Sequence, residues 1–182
     1  GNISKNNECL KVKLGSVDKQ HLLEFIKFVG GNSSMLKSEV HHITGNTLYK
    51  VSLYDKNLVE ALSHYYIFPK KSCKEIPYYE INNCLKNHYI RGIMDGDGYI
   101  LDDCSGFGFV GSKKVLDWIK QTFEDVGFSI KSNVLQRADT KSGLHYLKIV
   151  KGREDVLDYI YKDASICLER KFQLYKKLKE IC

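Results

Sequence analysis

Proline is almost missing from this chain, with 2 in 182 residues against 14 glycines. That excludes collagen-like and mucin-like chains, and 43% hydrophobic with 27% charged residues excludes a chain too polar to form a core. No apolar run reaches the roughly 18 residues that cross a bilayer, and the opening eight residues lack the apolar stretch of a secretory signal. A soluble protein with no membrane partner is expected. Metal-type cysteine spacing is missing too: the six cysteines, at 9, 73, 84, 104, 167 and 182, contain no C-x-x-C pair, and no histidine stands at zinc-finger spacing. Free thiols in a reducing, intracellular compartment follow. Arginine is scarce, 4 of the 28 basic residues, yet 28 Lys+Arg against 22 Asp+Glu leaves a net charge of +6. A mildly basic chain of this kind suits a polyanion partner without proving one.

What is present is a pattern that occurs twice. Leu10, Val12 and Leu14 alternate with Lys11 and Lys13 from Cys9 to Leu14, as in a half-buried strand. Helical spacing follows from Asp18 to Phe28, stopped by Gly30-Gly31, then two strands, 35–42 and 47–54, around Gly45-Asn46, then a helix from Lys56 to about Tyr65. Beyond a Lys-rich connector bounded by Pro69 and Pro77 the order returns. It reads as a strand over 107–110, a helix over 113–126, a hairpin over 129–150 turning near 140–143, and a helix from Arg153. Leu14-Gly15-Ser16 aligns with Val110-Gly111-Ser112 at an offset of 96, and Val29-Gly30 with Val126-Gly127 at 97. The chain is therefore expected to be a duplication, with halves 1–76 and 77–182. The second half has one element more, a helix from about Leu85 to Asp95. At an offset of 97 its counterpart would end just ahead of Gly1, so the first half is expected to lack its first helix.

That extra helix carries the chemistry, in His88-Tyr-Ile-Arg-Gly-Ile-Met-Asp-Gly-Asp-Gly-Tyr-Ile100. Gly92 and Gly96 lie four apart, and glycine costs about 1 kcal/mol in a helix relative to alanine, so the pair implies close approach by another backbone. Asp95 and Asp97 can present hard oxygen ligands to Mg²⁺ or Ca²⁺ where the helix releases into a strand. A calcium EF-hand loop is excluded, since its first and twelfth positions would be Ile93 and Cys104. A plain Asp/Gly turn remains an alternative for the tetrapeptide alone.

The string Tyr89-Ile90-Arg91-Gly92-Ile93-Met94-Asp95-Gly96-Asp97-Gly98 resembles the motif of the LAGLIDADG family of homing endonucleases and related maturases. Tyr89 or Ile90 and Arg91 depart from the family's leading Leu-Ala, and the closing 168–175 resembles the family's C-terminal helix. The resemblance implies an α+β fold of two pseudo-symmetric αββαββα halves whose antiparallel sheets form a saddle over DNA, with the motif helices meeting at Gly92, Gly96 and Asp95. It implies a site-specific, metal-dependent endonuclease acting on double-stranded DNA, using Mg²⁺ or another divalent cation. Asp97 would be the metal ligand, with the Gly96 carbonyl beside it. Lys50 and Lys148 would be partner basic side chains near the two metal centres. Strand alternation adds DNA contacts at Lys11, Lys13, Lys37, His41, Lys50, Lys131, Asn133, Arg137 and Lys148, with Glu39 on the same face. Lys171, Lys176, Lys177 and Lys179 read as a solvated helix face.

One motif acid is not two, so cleavage by these 182 residues alone is not expected, and a nuclease-dead, maturase-like module binding DNA or intron RNA is the alternative. An endonuclease insert of an intein is another, requiring splicing blocks that this sequence does not contain. An intact protein of this kind would be a monomer, in the cytoplasm or nucleoid of a bacterium or phage-infected cell, or in an organelle. If the first helix is truly absent, self-association through the open glycine face is expected.

Overall fold

A computed structural model describes residues 2–4, 6, 8–69, 74–136 and 143–181. Arg137, Lys70, Lys71 and the expected turn at 140–142 lie outside the described residues. Two compact units divide the chain, Gly1–Lys71 and Ser72–Cys182.

In the first unit the elements run β1 (Asn2–Ile3), β2 (Cys9–Gly15), α1 (Lys19–Phe28), β3 (Lys37–Val40), β4 (Thr47–Tyr54) and α2 (Lys56–His64). The four strands form an antiparallel sheet in the order β1-β2-β4-β3. Leu10, Val12 and Leu14 turn one face of β2 toward Leu22 and Ile26 of α1, four apart on one side of that helix, and toward Val51 and Leu53 of β4. The start of α2 is set by Asp55, whose carboxylate accepts the Leu58 N–H at 3.0 Å.

The second unit adds a helix in front: α3 (Lys86–Asp97), β5 (Gly98–Ile100), β6 (Phe107–Gly111), α4 (Lys113–Val126), β7 (Val134–Gln136), β8 (His145–Ile149), α5 (Arg153–Tyr161) and α6 (Glu169–Ile181). Its sheet has the matching order, β5-β6-β8-β7, also antiparallel. Phe107, Phe109, Leu147 and Ile149 bury one sheet face under Leu116, Ile119 and Phe123 of α4, with Ile90 and Met94 of α3 and Val156 and Ile160 of α5 in the same cluster. Each such side chain contributes about 1.5–3 kcal/mol by leaving water, so this core dominates the unit. Ser112 caps α4 by accepting the Val115 N–H at 3.3 Å, and Gly127, with φ of 103°, ends it in the left-handed conformation that glycine adopts without strain.

The fold is thus α+β, with two four-stranded antiparallel sheets and six helices among the described residues. The two units share one strand order with helices at matching places. They differ at α3, which packs on β5, β6 and α5. In the first unit a recess of about 270 Å³ opens instead, lined by Ile3 of β1, Val59 and Ser63 of α2, and Ile67 and Phe68.

The structure moves several expected boundaries. β3 starts at Lys37 because Ser33–Met35 forms a single 3₁₀ turn capped by Asn32, whose side chain accepts the Ser34 N–H at 3.0 Å. β7 starts only at Val134, so Lys131 and Asn133 precede the strand. β3 ends at Val40, leaving His41 in the hairpin loop, where its Nδ1 accepts the Thr44 N–H at 3.2 Å. β1 and β5 are too short to produce a readable alternation.

Candidate nucleic-acid interface

The end of α3 is where the sequence concentrates its chemistry, and there the two motif aspartates have different surroundings. Asp95 is bound within its own unit: its carboxylate accepts the Tyr161 hydroxyl at 2.7 Å and the Leu168 N–H at 3.0 Å, joining α3 to α5 and to the entry of α6. Burial, and then the Asp95 carboxylate beside it, push the Tyr161 phenol far above the usual tyrosine range, so its proton stays on as a donor. Asp95 thus spends its side chain inside the second unit, at the end of its own helix. The Asp97 residue is exposed, and its carboxylate forms no hydrogen bond or ion pair among the described residues. Gly92 and Gly96 are exposed as well, and among the described residues a Cβ on either would meet nothing within 4 Å.

Two buried cations hold this helix. Arg91 is 7% exposed, donating from Nε to Ile166 O and from Nη1 to Ile160 O, each at 3.1 Å, with Nη2 2.7 Å from His88 Nδ1. A guanidinium only donates, so that His88 nitrogen is the acceptor. Lys171 is 1% exposed, and its ammonium donates to Met94 O at 2.5 Å, Gly98 O at 2.6 Å and Asp95 O at 3.0 Å. The last carbonyls of a helix have no intrahelical partner and carry the negative end of its dipole, and this ammonium answers both needs. The expectation of a solvated lysine face is therefore corrected at Lys171. Spacing held the signal: Leu168, Lys171, Leu174 and Leu178 fall on one helical stripe, and Lys171 occupies a core position in it. Lys177 donates to Asp102 O at 2.9 Å and Lys179 pairs with Asp158 at 2.8 Å, so these two are surface contacts of α6.

On the first unit, the sheet face opposite α1 is cationic. Strand pairing sets Lys13 opposite Lys50, and Lys50 opposite Lys37, so three lysines form one row across β2, β4 and β3. Lys11 lies in the next row, between Asn2 and Ser52. Like charges in one row repel. Glu39, on the same face of β3, relieves this by pairing with both Lys13 and Lys50. Hydrogen bonds from Lys13 and then Lys50 draw the Glu39 carboxyl down to about 2, from an ordinary 4.5. A depressed folded pKa means that these pairs support the fold above about pH 4.5 and are lost as pH falls toward about 2. A carboxyl NMR titration of Glu39 is expected to show its midpoint near 2; a midpoint near 4.5 would mean that both lysines are solvated and unpaired.

The second unit presents different chemistry on its open face. Phe107 and Phe109 point into the core, and Gly106 and Gly108 lie on the opposite face. The first outer row is Tyr99, Gly108 and Lys148, and the second is Val110, Tyr146 and Leu135. Lys148 is exposed there, as alternation predicts. Its partnership with Lys50 does not survive the register. Counting from Ile3 opposite Leu10 in one sheet and Ile100 opposite Phe107 in the other, Lys50 corresponds to Tyr146 and Lys148 to Ser52. The two lysines stand 98 apart, whereas β2 and β6 correspond at 97 and β4 and β8 at 96. Lys131 is displaced too, lining a recess with Lys151 and Asp155 at the start of α5 rather than standing on the sheet.

Among the described residues no three His, Cys, Asp or Glu side chains cluster to hold a metal, and no helix is long and apolar enough to cross a membrane. Asp97 with neighbouring carbonyls could supply one carboxylate to a cation completed by water and substrate oxygens, the usual manner of Mg²⁺, but not a closed protein cage.

No family model matches the chain, and no curated protein matches it by sequence. Solved structures do. Full-length DUF199/WhiA from Thermatoga maritima superposes with a TM-score of 0.59 at 12% identity, over 99% of this chain and 55% of that one, so this chain spans about half of that protein. The homing endonuclease I-DmoI, in its mesophilic variants, gives 0.56 at 15%, over 86% of this chain and 81% of that one. The homing endonuclease I-WcaI, bound to its DNA recognition sequence, gives 0.57 at 12%, over 96% and 78%. I-DmoI has also been solved with DNA and manganese, and with DNA and calcium. At these identities the likeness concerns the fold, which is LAGLIDADG-like, as the motif implied.

Proposed function

We propose that this chain carries the fold of a homing-type endonuclease to its chemistry: it binds double-stranded DNA and Asp97 holds a divalent cation at a scissile phosphate. The observation that carries this reading is the split between the motif acids, with Asp95 engaged by the fold and Asp97 left exposed at a helix end held by Lys171. A cation there would activate water and stabilise charge on the leaving oxygen. The residues' own part is to orient: Lys171 and Asp95 hold the end of α3, and the Asp97 carboxylate projects from it with the Gly96 carbonyl beside it. Lys11, Lys13, Lys37 and Lys50, on one face of the first unit's sheet, meet phosphates or guanine edges of the duplex. Glu39 competes with DNA for Lys13 and Lys50. The halves 1–76 and 77–182 form the two grips.

The test uses the whole chain on a supercoiled plasmid pool carrying a randomised duplex insert. With one motif acid in place of two, double-strand cleavage is not expected; Mg²⁺- or Mn²⁺-dependent nicking of one strand is, lost in Asp97→Asn while duplex binding stays within about twofold, since that carboxylate makes no contact that the fold depends on. Nicking that persists in Asp97→Asn would remove the acid from the reaction. A second reading has an observation of its own: the chain contains a single Gly-x-x-Asp-Gly-Asp-Gly string. Salt-sensitive duplex binding with no cutting in either metal would favour a nuclease-dead binding module instead.

A further inference from the structure

The two sheets share a strand order but not a surface, and the difference lies row by row. Where the first unit has Lys13, Lys50 and Lys37 in one row, register places Val110, Tyr146 and Leu135 in the second. Where the first has Asn2, Lys11 and Ser52, the second has Tyr99, Gly108 and Lys148. Three lysines have thus become a ring flanked by two aliphatic side chains, and Leu135 is left 49% exposed. A cationic grip and an aromatic platform do not recognise the same ligand.

Gly108 shows that the platform is built. A Cβ at that position would lie 2.7 Å from the Tyr99 hydroxyl oxygen and 2.8 Å from its Cζ, and it would also run into the Leu147 carbonyl. The outer end of the Tyr99 ring therefore lies over Gly108, across the strand, where any side chain would displace it. Strand pairing sets Tyr99 and Tyr146 in adjacent rows of one face, and burial, then the nearby Tyr146 phenol, raise the Tyr99 pKa. Two phenol rings, aliphatic neighbours and one exposed ammonium, Lys148, fit the flat faces of unpaired bases and the phosphates joining them. Duplex DNA hides those faces in its stack, and a row without lysine has little to offer its backbone. Base stacking on sheet aromatics is the usual device for single strands.

We infer that the open face of the second unit's sheet is a stacking platform for single-stranded nucleic acid, with Tyr146 and Tyr99 receiving unpaired bases and Lys148 a phosphate. This goes beyond duplex binding and does not depend on Asp97 or on a metal.

Fluorescence anisotropy of the full chain tests it, using labelled oligothymidylate, oligouridylate and a mixed-sequence duplex of equal length. Single strands are expected to bind at least as tightly as the duplex, and Tyr146→Ala to weaken them about tenfold with less than twofold effect on the duplex. Tyr146→Phe keeps the ring and is expected to stay within twofold of the parent. The oligothymidylate and oligouridylate arms tell single-stranded DNA from RNA. Unfolding midpoints confirm that Tyr146→Ala is folded, and Lys148→Gln gives a second, surface variant expected to flatten the salt dependence on single strands. Equal single-strand affinity in Tyr146→Ala and the parent, or equal losses in the Ala and Phe variants, would overturn the inference. Loss of duplex binding alone would count against the proposed function and leave this platform standing.

Discussion

Lys171→Met is expected to destabilise the second unit by about 3 kcal/mol. Methionine has nearly the length and volume of the lysine side chain, so little packing changes and the ammonium is what disappears. Its removal strips hydrogen bonds from Met94 O, Asp95 O and Gly98 O at the end of α3. Met94 O keeps the Gly98 N–H as a partner, whereas Asp95 O and Gly98 O lose the donor seen here. Buried ions replaced by apolar groups sometimes cost nothing, but only when both partners are replaced, and backbone carbonyls cannot be. Desolvation of the orphaned acceptors therefore outweighs the relief of no longer burying a cation. The chain's single tryptophan, Trp118, packs against the second unit's core and reports its unfolding, so urea transitions followed by its fluorescence give the difference. Lys171→Arg restores the charge with a planar fork in place of three converging donors and is expected to recover part of the loss. A midpoint unchanged in Lys171→Met would mean that these carbonyls find water instead.

How much of this was legible beforehand depended on whether a feature is set locally. The strand alternation at Leu10, Val12 and Leu14 and the helix over Lys113–Val126 are local, and the structure keeps them; the repeat's Gly15–Gly111 anchor it does not keep, since counting from Leu10 and Phe107 puts Leu14 at Gly111. The outward parity of Lys13, Lys37, Lys50 and Lys148 followed from that alternation, and strand pairing bears it out. Register between copies was not legible, because small shifts between strands accumulate without disturbing the hydrophobic pattern within any one of them. The Lys50–Lys148 partnership failed for that reason. Phe107 and Phe109 alternate with glycines, which carry no polarity to tell the faces apart. Lys171 was misread by its company in a lysine-rich helix. Its burial depends on carbonyls at the end of α3, more than seventy residues earlier in the chain, which no window over α6 contains. Arg91 was visible as a departure from the motif, but what it reaches, Ile160 O and Ile166 O, is equally remote.

Asp95→Ala and Asp97→Ala are expected to part company, although the residues stand two apart in one motif. The first removes the acceptor of a hydroxyl on a fully buried tyrosine, and the acceptor of the Leu168 N–H as well. Leaving a buried donor unpaired costs about 1–3 kcal/mol, and two are affected, so a loss of about 3 kcal/mol is expected once partial relaxation is allowed for. Water cannot easily substitute at Tyr161, whose ring lies in the aromatic cluster with Phe172 and Tyr175. Asp95→Asn retains one acceptor oxygen for two donors and is expected to lie between Ala and the parent. Asp97→Ala removes an exposed side chain without described partners, and its unfolding midpoint is expected to shift by no more than about 0.5 kcal/mol equivalent. Only the second substitution should then abolish metal-dependent cutting while the chain remains fully folded, which separates an acid that shapes the helix end from one that works beyond it. Comparable destabilisation by both substitutions would show that Asp97 also serves the fold, and the division of labour on which the proposed chemistry rests would fail.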